Sequence, residues 1–389
     1  MDNRLKYSFI LVCASIIFNF QFSIFNSLRA QQLPLSETAW ASVLTCGPGA
    51  DLYTSFGHSA LRICDTAHGL DIVYNYGTFN FGTPHFYWKF AQGRLDYCLS
   101  RTSMRGFYME NGAEGRSMSE QRLDLAHQQV CNLFLMLEWN YAPENRYYRY
   151  DFFRDNCASR VRDMVFSAVG DKVALARDAE PQTYRYLLAT ALRDTMEWWR
   201  LGMDLLLGLA ADHRCTPHER MFLPREMEAE LMQASVAGRP LVSDPVPLQP
   251  SARGEMHRSF PPAVVFGLLF LIMAGLSWLE WKRHKCVKTL AVFDRVVYIV
   301  AGLLGLFLLF MWFGSAYYCT KWNLNVLWAS PLLILIAIRM QKSPRWALWL
   351  QEALFLGALA WVVICGLSAA LVPIVLLLAL RVAMLLIHR

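Results

Sequence analysis

The 389-residue sequence carries ten cysteines but no closely spaced cysteine pair, and no histidine or cysteine stands at ligand spacing from another. A structural zinc site needs such pairs, so none is expected, nor is any other metal or cofactor. Charge is scarce, at 17% of residues, and the net +6 is scattered without a basic patch interleaved with aromatics. Nucleic acid is therefore not an implied partner. In place of charge there is apolar surface: 55% of residues are hydrophobic and the mean hydropathy is +0.26, too high for an ordinary soluble enzyme. Most of that excess lies after residue 260.

Arg4 and Lys6 precede an almost uncharged run from Tyr7 to Phe25, which ends in Ser27-Leu28-Arg29-Ala30. This reads as a secretory signal over residues 1–30, cleaved after Ala30 or kept as a signal anchor. Residues 31–238 then form an exported domain, 239–262 a linker and 263–389 a transmembrane domain. In the linker, Pro240, Pro245, Pro247, Pro250, Pro261 and Pro262 disfavour helix and sheet alike and predict an extended tether. Five apolar stretches follow, near 263–281, 293–315, 324–339, 347–366 and 368–387, each close to the roughly 20 residues that span a bilayer. Lys282, Arg283, Lys285 and Lys288 lie between the first and second, and Arg339, Lys342 and Arg345 between the third and fourth. Arg389 ends the chain, whereas the alternate loops hold only Lys321 or no charge. The basic sets are thus expected to be cytoplasmic and the first domain to lie across the membrane from them. Arg381, inside the last stretch, either pairs with another helix or reaches for headgroups.

Within the exported domain the pattern is α+β. Strands are predicted at Ala41–Cys46, Ser59–Cys64, Asp71–Tyr76, Phe86–Phe90 and Arg94–Leu99, separated by turns tight enough to make an antiparallel sheet. The capping box Ser117-x-x-Glu120 predicts a helix running to about Trp139. The aromatic, arginine-bearing stretch Asn140 to Phe153 reads as a connection whose tyrosines cover the sheet. Residues 164–238 read as helical, with Tyr184 to Ala211 forming either a buried layer or a membrane-facing, acyl-binding surface.

The chemistry is sought at Phe153-Arg154-Asp155-Asn156-Cys157-Ala158-Ser159-Arg160. Asp155 or Asn156 is a good N-cap, and Val161, Met164, Val165 and Val169 recur at helical spacing. Cys157 then sits in a first helical turn, where unpaired N–H groups and the helix dipole favour a thiolate. Six cysteines (46, 64, 98, 131, 157 and 215) fall in the exported part, so Cys157 could equally be half a disulfide or a buried apolar thiol. Its best partner as a base is His58, on a strand that follows Gly57. Asn75 on the neighbouring strand is the first choice for orienting that histidine, with Asp71 second.

Four motifs resemble the Lnb N-terminal periplasmic domain family. They are Leu44-Thr45-Cys46-Gly47-Pro48-Gly49, Phe56-Gly57-His58-Ser59-Ala60-Leu61-Arg62, Tyr74-Asn75-Tyr76-Gly77-Thr78-Phe79 and Tyr150-Asp151-Phe152-Phe153-Arg154-Asp155-Asn156-Cys157. The resemblance continues through Trp199-Arg200-Leu201-Gly202-Met203-Asp204 and Met221-Phe222-Leu223-Pro224, covering about Trp40 to Ala237. It implies a circularly permuted papain-like, NlpC-type fold, joined here to an all-α bundle of about five transmembrane helices. It also implies lipoprotein N-acyltransfer in a bacterial inner membrane, with the catalytic domain on the periplasmic side. A phospholipid would give an acyl chain to Cys157 as a thioester, and a diacylated lipoprotein would receive it on its α-amino group. Cys157, His58 and Asn75 would be catalytic, with Asp155 and Asn156 supporting and oxyanion donors coming from the helix start, including the Asn156 side chain. The residues alone leave two other readings open: a periplasmic papain-like cell-wall amidase or peptidase, and a non-catalytic membrane-anchored envelope protein.

Overall fold

A computed structural model describes residues 35–170, 173–175, 181–192, 196–252, 260–284 and 287–388. The segment read as a signal, residues 1–30, and Lys285 in the first basic loop lie outside the described residues. The exported domain is built on a seven-stranded antiparallel sheet. Its strands are β1 (Trp40–Cys46), β2 (His58–Asp65), β3 (Leu70–Thr78), β4 (Asp96–Ser103), β5 (Met118–Arg122) and β6 (Tyr147–Arg149). With a last strand at Val246–Gln249, the order is β6-β4-β3-β2-β1-β5-last.

Both faces of the central strands are covered, and side-chain alternation sorts the two cores. Val43, Leu61, Ile63 and Tyr74 face the larger one, while Leu44, Cys46, Ala60 and Val73 face a smaller one closed by Phe107. The short helix α1 (Phe86–Ala91) joins β3 to β4, and α2 (Met104–Ala113) carries Phe107 over the smaller face. α3 (His127–Tyr141) and α4 (Cys157–Val169) cover the larger one through Val130, Leu133, Leu137, Val161 and Val165. Each such fully buried side chain contributes about 1.5–3 kcal/mol.

Several expectations need correction. The aromatic run Phe86–Phe90 is helix α1, not a strand, because its rings pack on the membrane bundle: Trp88 stacks on Phe310 at 5.4 Å and Phe90 meets Tyr317 at 6.0 Å. The capping box at Ser117–Glu120 is absorbed into β5, since Glu120 bonds the Ser42 hydroxyl at 2.6 Å and the Arg62 guanidinium at 3.0 Å. The helix starts instead at His127, where Gln129 Oε1 accepts the Ala126 N–H at 2.9 Å. The fifth predicted strand is shifted, from Arg94–Leu99 to Asp96–Ser103.

Residues 164–238 break into short pieces. After α4 come α5 (Tyr184–Ala191), α6 (Glu197–Leu206), α7 (Pro217–Arg220), α8 (Pro224–Gln233) and a small ladder of β7 (Ser235–Val236) with β8 (Arg239–Pro240). The proline-rich segment is not a bare tether, because β9 (Val246–Gln249) pairs with β5 as an edge strand. Pro247 is tolerated there because an edge strand need not donate on both sides.

The transmembrane domain contains α9 (Pro262–Arg283), α10 (Val287–Phe313), α11 (Leu332–Arg339), α12 (Arg345–Ile364) and α13 (Leu371–Ile387). Four segments are long and apolar enough to cross a membrane, including Tyr318–Lys342, which contains α11; the expected fifth is a shorter apolar helix, α13. Within Tyr318–Lys342 only Leu332–Arg339 is α-helical, and the irregular stretch before it is buried in the protein, where such backbone is tolerated. Arg381 does not reach for headgroups. Its guanidinium is buried, with Asp294 at 2.7 and 2.8 Å, Glu280 at 2.8 Å and the Ser277 hydroxyl at 2.7 Å, a three-helix clasp.

The two parts are joined through α6 and the bundle's loops. Leu201 enters the bundle core, and Gly208 crosses so near Lys321 that a Cβ there would lie 1.8 Å from the Lys321 carbonyl oxygen. The buried Asp204 carboxylate accepts from Arg185 Nη1 and from the Ser368 N–H, both at 2.8 Å. Asn325 Nδ2 donates to the Asp204 carbonyl at 2.8 Å. Lys282 and Arg283 close α9, and Arg339 and Lys342 lie at the end of α11, at the helix ends away from this joint, as the charge-derived orientation expects. Asp204→Ala leaves a buried N–H and part of a buried guanidinium unmatched, at a cost of about 3–5 kcal/mol. Thermal unfolding of the purified membrane protein should show that loss, and an unchanged midpoint would contradict the assigned joint.

Candidate active site

Asn156 caps α4. Its Oδ1 accepts the Ser159 N–H at 2.9 Å while its own N–H donates to Ser159 Oγ at 2.7 Å. Both Nδ2 hydrogens are also engaged, on the carbonyls of Phe152 and Phe222 at 2.8 Å each. The expectation that its side chain could serve as an oxyanion donor is therefore corrected. Asp155 is turned away from the thiol, paired with Arg160 at 2.8 Å, and lines a surface pocket with Tyr76 and Arg154. Both residues are supports of the turn that presents Cys157.

Cys157 is the first residue of α4. Backbone N–H groups of Ser59, Ala158 and Cys157 itself lie near enough to the sulfur to favour its anion. Burial nevertheless pushes the thiol above its ordinary value, outweighing those N–H groups and the Arg116 guanidinium. The expected low-pKa thiolate is thus corrected to a thiol that is protonated at rest: desolvation of the anion wins over the helix start.

The Ser59 contact is available because the sheet opens there. Pairing of β2 with β3 runs from Asp65–Leu70 to Leu61–Tyr74, and the register of β3 against β4 shifts between Asn75 and Thr78. Gly77, at φ 92°, takes a left-handed conformation in that shift, 3.5 Å from Cys157 Cβ when a Cβ is placed on it. The sulfur enters the gap from the α4 side.

His58 begins β2 opposite Cys46, and alternation puts its ring on the Cys46–Ala60 face. Its Nε2 lies 3.2 Å from Asn75 Oδ1. An amide oxygen only accepts, so Nε2 carries the hydrogen and Nδ1 keeps its lone pair. Burial, and after it the positive Arg116, pushes the imidazole down to about 4, so it is neutral at physiological pH. Asp71 is excluded as the orienting group, because it is committed to Arg62 at 2.7 and 2.9 Å farther along the strand. The structure thus places His58 beside Asn75, and Cys157 beside Ser59, the residue that follows His58 on β2. The imidazole lies on the sheet face opposite α4, and no hydrogen bond joins it to the Cys157 sulfur among the described residues.

Sequence reasoning missed three participants. Arg116 influences both thiol and imidazole; Ser59 Oγ is buried beside the sulfur without a partner among the described residues; and Tyr150, stacked on Tyr97 at 4.5 Å, walls the site. Arg116 carried no signal, since it stands outside every motif. The eight described cysteines, Cys157 among them, are free thiols. No group of His, Cys, Asp or Glu that could hold a metal occurs among the described residues.

The site lies against the bundle. Asp151 Oδ1 accepts the N–H groups of Phe153 and Arg154 at 3.0 Å, and its Oδ2 accepts the Tyr318 N–H at 3.4 Å. Arg154 covers the Tyr318 ring at 3.5 Å, and the Ala316 N–H donates to Gln92 O at 2.8 Å.

Two family models match the chain: the Lnb N-terminal periplasmic domain over residues 28–190 and the Lnb transmembrane domain over residues 254–389. The first match includes His58, Asn75 and Cys157; the motifs at Trp199 and Met221 lie beyond it. No curated protein and no solved structure matches significantly.

Proposed function

The chain belongs to the Lnb family, as a membrane protein with a periplasmic domain, and from that premise we propose that it is a thiol-dependent lipoprotein N-acyltransferase of the bacterial inner membrane. A circularly permuted papain-like order, histidine strand before cysteine helix, is part of this reading. The observation that carries it is the attachment of the Cys157 turn to the bundle through Asp151 and Tyr318. A nucleophile seated on the membrane surface meets acyl chains, which a cell-wall hydrolase has no use for.

Each step follows from the resting protonation states. The neutral His58 takes the thiol proton at Nδ1 as sulfur attacks the acyl ester carbonyl of a phospholipid, and Asn75 holds the ring by its Nε2 hydrogen. The tetrahedral oxyanion is met by backbone N–H groups at the start of α4. On collapse the C–O bond breaks, the lysophospholipid alkoxide takes the proton back from His58, and a thioester remains on Cys157. The neutral α-amine of a diacylglyceryl cysteine then attacks. His58 accepts its proton, the C–S bond breaks, and the thiolate recovers that proton. Water is held off by the aromatic wall of Tyr97, Tyr148 and Tyr150 and by the apposed bundle.

Purified protein with phospholipid and a diacylated lipopeptide should yield a triacylated peptide, read by mass spectrometry. Release of amino acids from cell-wall fragments, with no acylated peptide, would replace this reading with the amidase one.

A further inference from the structure

Arg116 is buried, 5% exposed, two residues before β5. Its Nε donates to the Gly47 carbonyl at 2.9 Å, and Nη1 lies 3.5 Å from Glu114 Oε2. Nη2 is buried and has no acceptor among the described residues. Gly47 follows Cys46, whose cross-strand partner is His58, and its own N–H is tied to Ser117 O at 2.8 Å. The guanidinium is therefore fixed at the end of the sheet where β1 and β2 pair through Cys46 and His58, near enough to act on both His58 and Cys157.

A buried charged donor without an acceptor is costly, so native proteins rarely leave one unmatched without a reason. The charged and titratable groups around it are Glu110 from α2, Glu114 just beyond its end, Tyr53, Cys46 from β1, His58 from β2 and Cys157 from α4. Glu114, 44% exposed, engages the other arm of the fork. An anionic oxygen supplied by a bound ligand would match Nη2. The sulfur has its own N–H groups at Ser59 and Ala158, whereas Arg116 hangs from β1 and β5, beyond β2. An anion held by Arg116 would thus be separate from the N–H groups around the sulfur, as a lipid phosphate is separated from its ester by the glycerol backbone.

We propose that Arg116 is a substrate-binding residue whose Nη2 holds the phosphodiester of the acyl-donor lipid and so selects glycerophospholipid over neutral glyceride. The lipid class rests on the acyltransferase reading; the anion site rests on the unmatched guanidinium. One consequence follows for the base. A phosphate paired with Arg116 cancels the positive field at His58, so the imidazole becomes a stronger base when the donor is bound.

The test uses the full chain with Cys157→Ala, which cannot turn over, and compares binding of dihexanoyl phosphatidylglycerol with that of dihexanoylglycerol. Arg116→Gln should weaken the phospholipid about tenfold or more, the scale of one charge-assisted hydrogen bond, and leave the glyceride unchanged. Arg116→Lys, which keeps the charge and loses the fork, should fall between. Equal binding of phospholipid by Arg116 and Gln proteins would overturn the proposal, and so would equal loss of both lipids, the mark of a merely structural residue. Because no turnover is involved, this result is independent of whether the protein transfers acyl chains.

Discussion

Cys157→Ser is expected to lower acyl transfer by about 10³-fold or more, the scale seen when a covalent nucleophile is disabled. The hydroxyl can occupy the same place and accept from the same Ser59 and Ala158 N–H groups, so folding and lipid binding should persist. What changes is the proton. The Cys157 thiol is already held above its ordinary value by burial, and an alcohol in that setting is harder still to deprotonate. A base whose own pKa is about 4 drives that transfer too weakly to compensate. The measurement is single-turnover acylation of the protein with labelled phospholipid, beside a melting curve. A Ser variant that acylates as fast as the parent would contradict the thioester route.

His58→Gln should cost about 10²–10⁴-fold, the usual contribution of a positioned base. The amide can still meet Asn75, so the β2–β3 gap should keep its shape. The pH dependence separates a base from a structural residue. The His58 imidazole is lowered to about 4 by burial and by Arg116, so its neutral, proton-accepting form is present above that pH and lost as pH falls through it. The acid limb of kcat/KM for thioester formation should therefore lie near pH 4 and disappear in the Gln variant. A limb near 6.5 in the parent would show an imidazole in ordinary surroundings, against the buried geometry described.

How legible the molecule was in its sequence depended on range. The Cys157 helix start was readable because Asn156, Val161 and Val165 lie within one short periodic run, and the cap is local chemistry. Asn75 and Asp71 lie on the same face of the strand beside His58, so alternation could not choose between them; their fates differ because Arg62 claims Asp71. Misreadings arose where a distant partner outbid a local signal. Glu120 gave up a helix cap for Arg62, and the ring-rich Phe86–Phe90 followed Phe310 and Tyr317 into a helix. The Cys157 pKa was misjudged for a related reason. Helix position is visible in sequence, but the burial that outweighs it is set by α4 packing on the sheet. Arg116 was invisible because its neighbours at Gly47 and His58 are brought to it only by the strand order.

Thiol-dependent transfer requires a covalent acyl intermediate on one sulfur. Its most direct measurement is the mass of the peptide bearing Cys157 after the protein is mixed with phospholipid and quenched before any acceptor is added. Cys157 is expected to gain an acyl mass that hydroxylamine removes, and that a diacylated lipopeptide discharges into a triacylated product. An unmodified Cys157 in protein that still produces triacylated peptide would contradict it.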